Sequence, residues 1–128
     1  MNHEELNRIS GLTLDCSIEV HKQLGPGLLE SVYEICLYKE LHSKGIFVER
    51  QVQVPVVYKG EPLDAEFKID LLVEKEVIVE LKAVEIILPV HEAQLLTYMK
   101  LADKRLGLLI NFNVPKLIDG FRRKVLNF

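Results

Sequence analysis

The fold of this chain is decided by the stretch IDLLVEKEVIVELKAV, residues 69–84. Branched and apolar residues lie on both sides of Glu74–Lys75–Glu76, which predicts two strands joined by a tight turn. The second strand nevertheless carries Glu80 and Lys82 two places apart, and residues at that spacing lie on the same face of a strand. A carboxylate beside an ammonium group is unusual in so apolar a strand and requires an explanation.

The length of the turn decides what faces Glu80. If the loop contains three residues, Asp70 lies directly opposite Glu80, with their Cβ atoms about 4.5–5.5 Å apart. A loop of two residues would instead pair Asp70 with Val79 and place Glu80 on the other face. The predicted site therefore requires an odd-length loop or a bulge.

Two carboxylates this close repel each other unless positive charge lies between them. Lys82 supplies part of that charge, and a Mg²⁺ or Mn²⁺ ion, which prefers hard oxygen ligands, supplies more. Such an ion activates water and stabilises charge on a phosphate, while a lysine beside it orients or deprotonates the attacking water. The alternative is a cross-strand salt bridge on a solvated face, against which the apolar neighbours argue, because unpaired charges are costly in buried strands.

The segments before this hairpin predict two helices and a further strand. Apolar residues at steps of three and four predict a helix over residues 4–24, which Gly25–Pro26–Gly27 interrupts, and a second helix from about Leu28 to Ser43. The stretch IFVERQVQVPVVY then alternates with period two and completes an antiparallel meander, in which Pro55 indicates an edge or a bulge.

The segments after the hairpin predict a helix and two more strands. EIILPV bridges to a helix over about His91–Ala102, RLGLLINF reads as a buried strand, and FRRKVLNF as a charged strand at an edge. Gln94 and Tyr98 are four residues apart and share a helical face, where they could hold a phosphate or a nucleobase. The alternative is a surface glutamine and a half-buried tyrosine.

Composition fits one soluble domain, residues 1–128. Apolar residues make up 48% of the chain and charged residues 27%. There is no apolar run long enough to span a membrane and no pattern of a signal peptide, so we expect a cytoplasmic protein without a membrane partner. Its two cysteines, Cys16 and Cys36, are expected to be buried reduced thiols and are too few for a four-cysteine metal site.

The net charge of −3 hides an uneven distribution. Residues 99–128 hold seven basic and two acidic residues, for a net charge of +5, which leaves −8 for the first 98 residues. A basic C-terminal quarter could meet phosphates, and it could equally be a solvated face.

Four blocks, taken in order, resemble a known family. Asp70 before the strand-borne Glu80-x-Lys82 resembles the core of the PD-(D/E)XK nuclease superfamily, and Gln94-x-x-x-Tyr98 is similar to its recombination-repair exonuclease branch. GLLESVY matches Gly27-x-x-Glu30-x-x-Tyr33, the signature that names the GxxExxY proteins of that superfamily. The resemblance covers nearly the whole chain, and Ile69 stands where the superfamily's name gives a proline.

The resemblance implies an α/β (α+β) fold with a restriction-endonuclease-like core, a mixed central sheet flanked by helices. It implies that Asp70, Glu80 and Glu30 are metal ligands and that Lys82 is the catalytic lysine, acting with the acidic pair. The remaining motif residues would support the site or contact substrate: Gln94, Tyr98, Tyr33 and Gly27.

The sequence thus predicts a Mg²⁺- or Mn²⁺-dependent nuclease that acts on DNA. The alternative is a non-catalytic module on the same fold, which binds nucleic acid through the basic C-terminal quarter or a protein through EIILPV. Because the chain is small, we expect a nuclease of this kind to need a protein partner or a second subunit to grip a duplex.

Overall fold

A computed structural model describes residues 1–128, which form three helices and five strands. In chain order these are α1 (His3–Leu24), α2 (Glu30–Ser43), β1 (Val48–Tyr58), β2 (Glu61–Val73), β3 (Val77–Lys82), α3 (Pro89–Ala102), β4 (Leu106–Asn111), a single 3₁₀ turn (Leu117–Gly120) and β5 (Phe121–Val125). None of the helices combines the length and apolarity that crossing a bilayer requires.

The five strands form one mixed sheet in the order β1-β2-β3-β4-β5. The first three strands are an antiparallel meander, β4 runs parallel to β3, and β5 returns antiparallel to β4. The parallel pair is possible because α3 carries the chain across the sheet between its two strands. The predicted α+β fold of a restriction-endonuclease-like domain is confirmed.

Helices cover both faces of this sheet. α1 and α2 pack on one face, around side chains such as Leu37, Leu71 and Val79. α3 packs on the other face, where Leu95 and Met99 cover a smaller cluster that includes Ile69, Leu72, Ile78 and Leu109. Every residue of β4 is buried, as its apolar sequence predicts for a strand covered on both faces.

All three helices begin one or two residues away from their predicted starts, α1 at His3 instead of residue 4. α2 begins at Glu30 because Leu29 keeps an extended backbone. α3 begins at Pro89, two residues before His91, since proline lacks the N–H that the first turn leaves unpaired. The N–H of Leu88 donates to Nδ1 of His91 at 3.0 Å and so closes that turn.

The strand predictions hold at both edges and at the central turn. β1 and β5 are the edge strands, and the register of β1 shifts between Pro55 and Val57. Glu74, Lys75 and Glu76 form the turn between β2 and β3, so the predicted three-residue loop is confirmed. The long β1–β2 hairpin extends well past the short β3, and β2 and β3 separate beyond the pair Leu71–Val79. The opening between the two strands, called the fork below, contains the candidate site.

Candidate active site

The site begins where β2 and β3 separate. Their last backbone pair is Leu71 with Val79, so the predicted Asp70–Glu80 pair is not part of the ladder. Instead, Oδ2 of Asp70 accepts a hydrogen bond from the N–H of Leu81 at 2.9 Å. The carboxylate thus replaces a backbone acceptor and is fixed in the fork between the two strands.

Asp70 also lies on an unexpected side of the sheet. Leu81 belongs to the core under α1 and α2, and Asp70 lines a cleft on that side. Glu80, one residue away from Leu81 along the strand, points toward the opposite face. The negative charge of Asp70 still acts on Glu80, but the two carboxylates do not share one face through regular alternation, as the sequence predicted.

Glu80 is the most perturbed acid of the site. Its side chain is only 7% exposed, and its Oε1 atom has no hydrogen-bond partner. Burial raises the pKa of Glu80 to about 10, the neighbouring Asp70 carboxylate contributes to the increase, and Lys82 opposes it. This carboxylate requires either a proton or a cation at neutral pH.

Lys82 is half-buried at the end of β3, where it pairs in register with Asn111 of β4. The buried Asn111 side chain accepts from the N–H of Val84 at 3.1 Å and donates to its carbonyl oxygen at 2.9 Å. These two bonds fix the backbone just after Lys82. Asn111 was missed in the sequence, although an amide that ends the apolar run LGLLI is a usable signal.

The Gly27–Glu30–Tyr33 motif builds a turn next to the site. The Tyr33 hydroxyl, on a fully buried ring, donates to the carbonyl oxygen of Gly25 at 2.6 Å and accepts from the N–H of Leu28 at 3.1 Å. Gly27 has φ of 97°, which a side chain would oppose. Tyr33 and Gly27 therefore shape the start of α2, while Glu30, the first helical residue, reaches the strand that carries Lys82.

Glu30 contacts the end of β3 through one hydrogen bond. Its Oε1 atom accepts from the N–H of Ala83 at 3.3 Å. Glu30 and Asp70 line the same cleft, so the helix brings a further acidic side chain toward the fork.

The two α3 residues of the predicted site differ in their surroundings. Tyr98 is half-buried, and its ring stacks on Phe67 with 4.1 Å between ring centroids. Burial raises the pKa of Tyr98, and the negative charges of Glu80 and Asp70 raise it further. Gln94 lies one turn earlier and is exposed.

Four further polar residues of the cleft were missed in the sequence, namely Ser31, Glu34, Arg50 and Gln51. Glu34 of α2 is 6% exposed and accepts hydrogen bonds from Arg50 and Gln51 of β1. The available signal was the spacing of Glu34 four residues after Glu30, which places both on one face of α2. The complete cleft lining is Glu30, Ser31, Glu34, Arg50, Gln51, Asp70 and Leu81.

A family model of the PD-(D/E)XK nuclease superfamily matches residues 7–124. The chain belongs to the PD-(D/E)XK nuclease superfamily. No curated protein and no solved structure matches it. Members of this superfamily are generally nucleases, and thus hydrolases of nucleic acids, and they typically use divalent metals.

The residues present fit a divalent ion of the kind that PD-(D/E)XK nucleases use. Asp70 and Glu80 offer hard carboxylate oxygens, and the Oε1 atom of Glu80 has no hydrogen-bond partner in the protein, which leaves it free to accept a ligand bond. No three histidine, cysteine or acidic side chains converge as a group that could hold a metal, so the structure does not bring Glu30 into such a group with Asp70 and Glu80. Mg²⁺ commonly needs only one or two protein carboxylates, because it retains several waters.

Proposed function

We propose that this protein is a Mg²⁺- or Mn²⁺-dependent nuclease that hydrolyses phosphodiester bonds in DNA. The observation that carries the proposal is the buried, partnerless carboxylate oxygen of Glu80 beside Asp70. Natural proteins rarely leave a buried polar atom without a partner, and an ion bound between two acids is a common reason for one. A cytoplasmic location is part of the same proposal.

Each residue of the fork has a distinct role in this proposal. Asp70, oriented by the N–H of Leu81, and Glu80 would hold the ion, which would supply charge stabilisation to the reacting phosphate. Lys82, fixed by the strand end and the nearby Asn111, would orient the attacking water and share its proton. Glu30, on the other wall of the cleft, would be a further acidic ligand, reached through water or after a rotamer change.

The Gly27–Glu30–Tyr33 geometry supports placing the chain among the GxxExxY proteins of the superfamily. The glycine allows the turn, the tyrosine hydroxyl closes it, and the glutamate then points at the end of β3. The three residues thus form one local structure that supports the site. Tyr98 and Gln94 would form the wall of the site on the α3 side.

The substrate and any partner follow from the charge distribution. Arg122 and Arg123 are exposed on the edge strand β5, within the basic C-terminal quarter, and would contact a phosphate backbone. The acidic remainder of this small chain offers little else to grip a duplex. A second copy of the chain, or another protein, would therefore complete the substrate-binding surface.

The test is cleavage of labelled single- and double-stranded DNA with Mg²⁺, Mn²⁺ or EDTA. Asp70→Asn and Lys82→Ala should each lower the rate by at least about 100-fold, since each removes a group on which the chemistry depends. Asp64→Asn and Lys68→Ala are the matched controls, because both residues are exposed on β2, outside the site, and should cleave normally. Cleavage that persists in EDTA, or that survives both site variants, would refute the proposal.

One observation favours the alternative, a protein-binding module on the same fold. The segment EIILPV, residues 85–90, exposes Ile86 at 67% and Val90 at 65%, next to the proposed site. If purified protein neither cleaves DNA nor binds Mn²⁺ in calorimetry, this alternative replaces the nuclease.

A further inference from the structure

Gln51 adopts a backbone conformation that strands normally avoid. Its φ angle is 52°, in the left-handed region, in the middle of β1. Its position in the β1–β2 register is opposite Asp70, between the pairs Arg50–Leu71 and Val52–Ile69, and neither Gln51 nor Asp70 forms a ladder pair. The irregular backbone of β1 therefore lies directly across from the acid that leaves the ladder.

Both strands change faces at this point. In β2, Ile69 packs under α3 and Leu71 packs under α1 and α2, although two residues this far apart would normally share a face. In β1, Arg50 reaches α2 while Val52 packs under α3.

The register is the same on either side of the change, so the two strands shift together. The shift turns Asp70 toward the α2 cleft and the N–H of Leu81 without breaking the hairpin.

A buried carboxylate holds β1 in this shape. Oε2 of Glu34 accepts from Arg50 at 3.0 Å (Nη2) and 3.2 Å (Nε), and its Oε1 accepts from Nε2 of Gln51 at 2.6 Å. Charge-assisted bonds of this kind are the strong ones, and one buried acid here binds both consecutive side chains. A strained backbone conformation persists only where such surroundings determine it.

We propose that Glu34, Arg50 and Gln51 form a clamp that positions Asp70 in the active site. The clamp holds Gln51 in its left-handed conformation, which permits the paired face change and keeps the Asp70 carboxylate in the fork with Glu80. The three are positioning residues, and their link to catalysis rests on the proposed function, whereas their link to Asp70 does not.

The test compares glycine with alanine at two positions of β1. Both substitutions at Gln51 remove the bond to Glu34, but only glycine adopts a positive φ at no steric cost. Gln53 is the matched control, since it is an exposed glutamine of the same strand with a regular ladder partner, Lys68. In a regular strand glycine is the less favourable of the two residues, so the glycine variant should be the more stable of the pair at position 51 and the less stable of the pair at position 53.

Two readouts report on Asp70 itself. The first is hydrogen exchange of the Leu81 amide in metal-free protein by NMR, referenced to the Leu108 amide in the buried strand β4. The second is the Mn²⁺ dissociation constant from calorimetry. In Gln51→Ala we expect Leu81 exchange about ten-fold faster and Mn²⁺ binding about ten-fold weaker than in Gln51→Gly. The two Gln53 variants should match wild type in both readouts.

Equal Leu81 exchange in the two Gln51 variants would overturn the clamp, even if the protein cleaves DNA. Conversely, a wild-type protein that binds no Mn²⁺ would remove the proposed function, while the exchange data would still decide the clamp. If Gln51→Ala does not fold, Glu34→Gln replaces it, with Glu40→Gln on the same helix as its control. Leu81 exchange unchanged in Glu34→Gln would overturn the clamp as well.

Discussion

Glu80 should make the metal-free protein less stable as the pH rises. Its pKa is about 10 in the folded chain, against an ordinary value of 4.5, because the side chain is buried beside Asp70. Between these two values the folded state holds a proton on Glu80 that the unfolded state has lost. The folded state then binds more protons, so the free energy of unfolding falls with increasing pH.

The magnitude follows from linkage. One additional proton in the folded state lowers the free energy of unfolding by about 1.4 kcal/mol for each pH unit. From pH 5.5 to 7.5 the loss due to Glu80 is therefore about 3 kcal/mol, a large share of the roughly 5–15 kcal/mol typical of a domain. Glutamine cannot ionise, so Glu80→Gln should lose this dependence.

The assay is urea unfolding followed by circular dichroism at pH 5.5, 6.5 and 7.5 in EDTA. The stability difference between wild type and Glu80→Gln isolates this one group, because the other titrating residues are common to both. Glu85→Gln, at an exposed position a few residues on, is the control and should track wild type. Added Mg²⁺ should remove the loss in wild type alone, since the ion displaces the proton.

A stability difference that stays constant within about 0.5 kcal/mol over this pH range would refute the reasoning, since 3 kcal/mol is expected. Glu80 would then be ionised in the metal-free protein, and the need for a cation at the fork would lose its physical basis.

Three further substitutions test the framework of the site by urea unfolding. Tyr33→Phe should lower the free energy of unfolding by about 1–3 kcal/mol, because two hydrogen bonds are lost while the buried ring is kept. A loss below 0.5 kcal/mol would contradict the structural role of the hydroxyl. Gly120→Ala should lower the free energy of unfolding by about 3 kcal/mol, because the added methyl group would collide with the backbone oxygen of Asn111. The control is Gly11→Ala, in open space on α1, which should raise it by about 0.5–1 kcal/mol. Equal effects of the two substitutions on stability would refute the collision. Asn111→Leu should cost about 2 kcal/mol and slow DNA cleavage, because Val84, just after Lys82, loses both of its hydrogen bonds to the Asn111 side chain. Normal cleavage would show that this anchor does not position the lysine.

The sequence was most informative where structure depends on short-range pattern. The turn at residues 74–76 and the register of the β2–β3 hairpin follow from where the apolar runs stop, and a slip of one residue would expose an entire buried face. The edge positions of β1 and β5 follow from Pro55 and from the charges of Arg122–Lys124. Helix starts were less accurate, because they depend on backbone angles at Leu29 and Leu88 that weak local preferences decide.

The candidate site was predictable as a set of residues but not as an arrangement. Asp70, Glu80 and Lys82 could be singled out as candidates because charges stand out in apolar strands. The cleft residues Glu34 and Gln51 were missed, because a carboxylate on a helix surface and a glutamine in an alternating strand look ordinary until the two elements pack together.

The sequence by itself thus determined the strands, their turn and the order in which the acids and the lysine follow one another. Only the tertiary structure decided that Asp70 leaves the ladder for the N–H of Leu81, and that Gln51 takes a left-handed conformation across from it. The physical reason is that the alternation of side chains between the two faces of a sheet is a local property of each strand. Departure from it is stabilised by a buried carboxylate on α2, which lies 17 residues before Gln51 in the chain and meets it only in the folded protein.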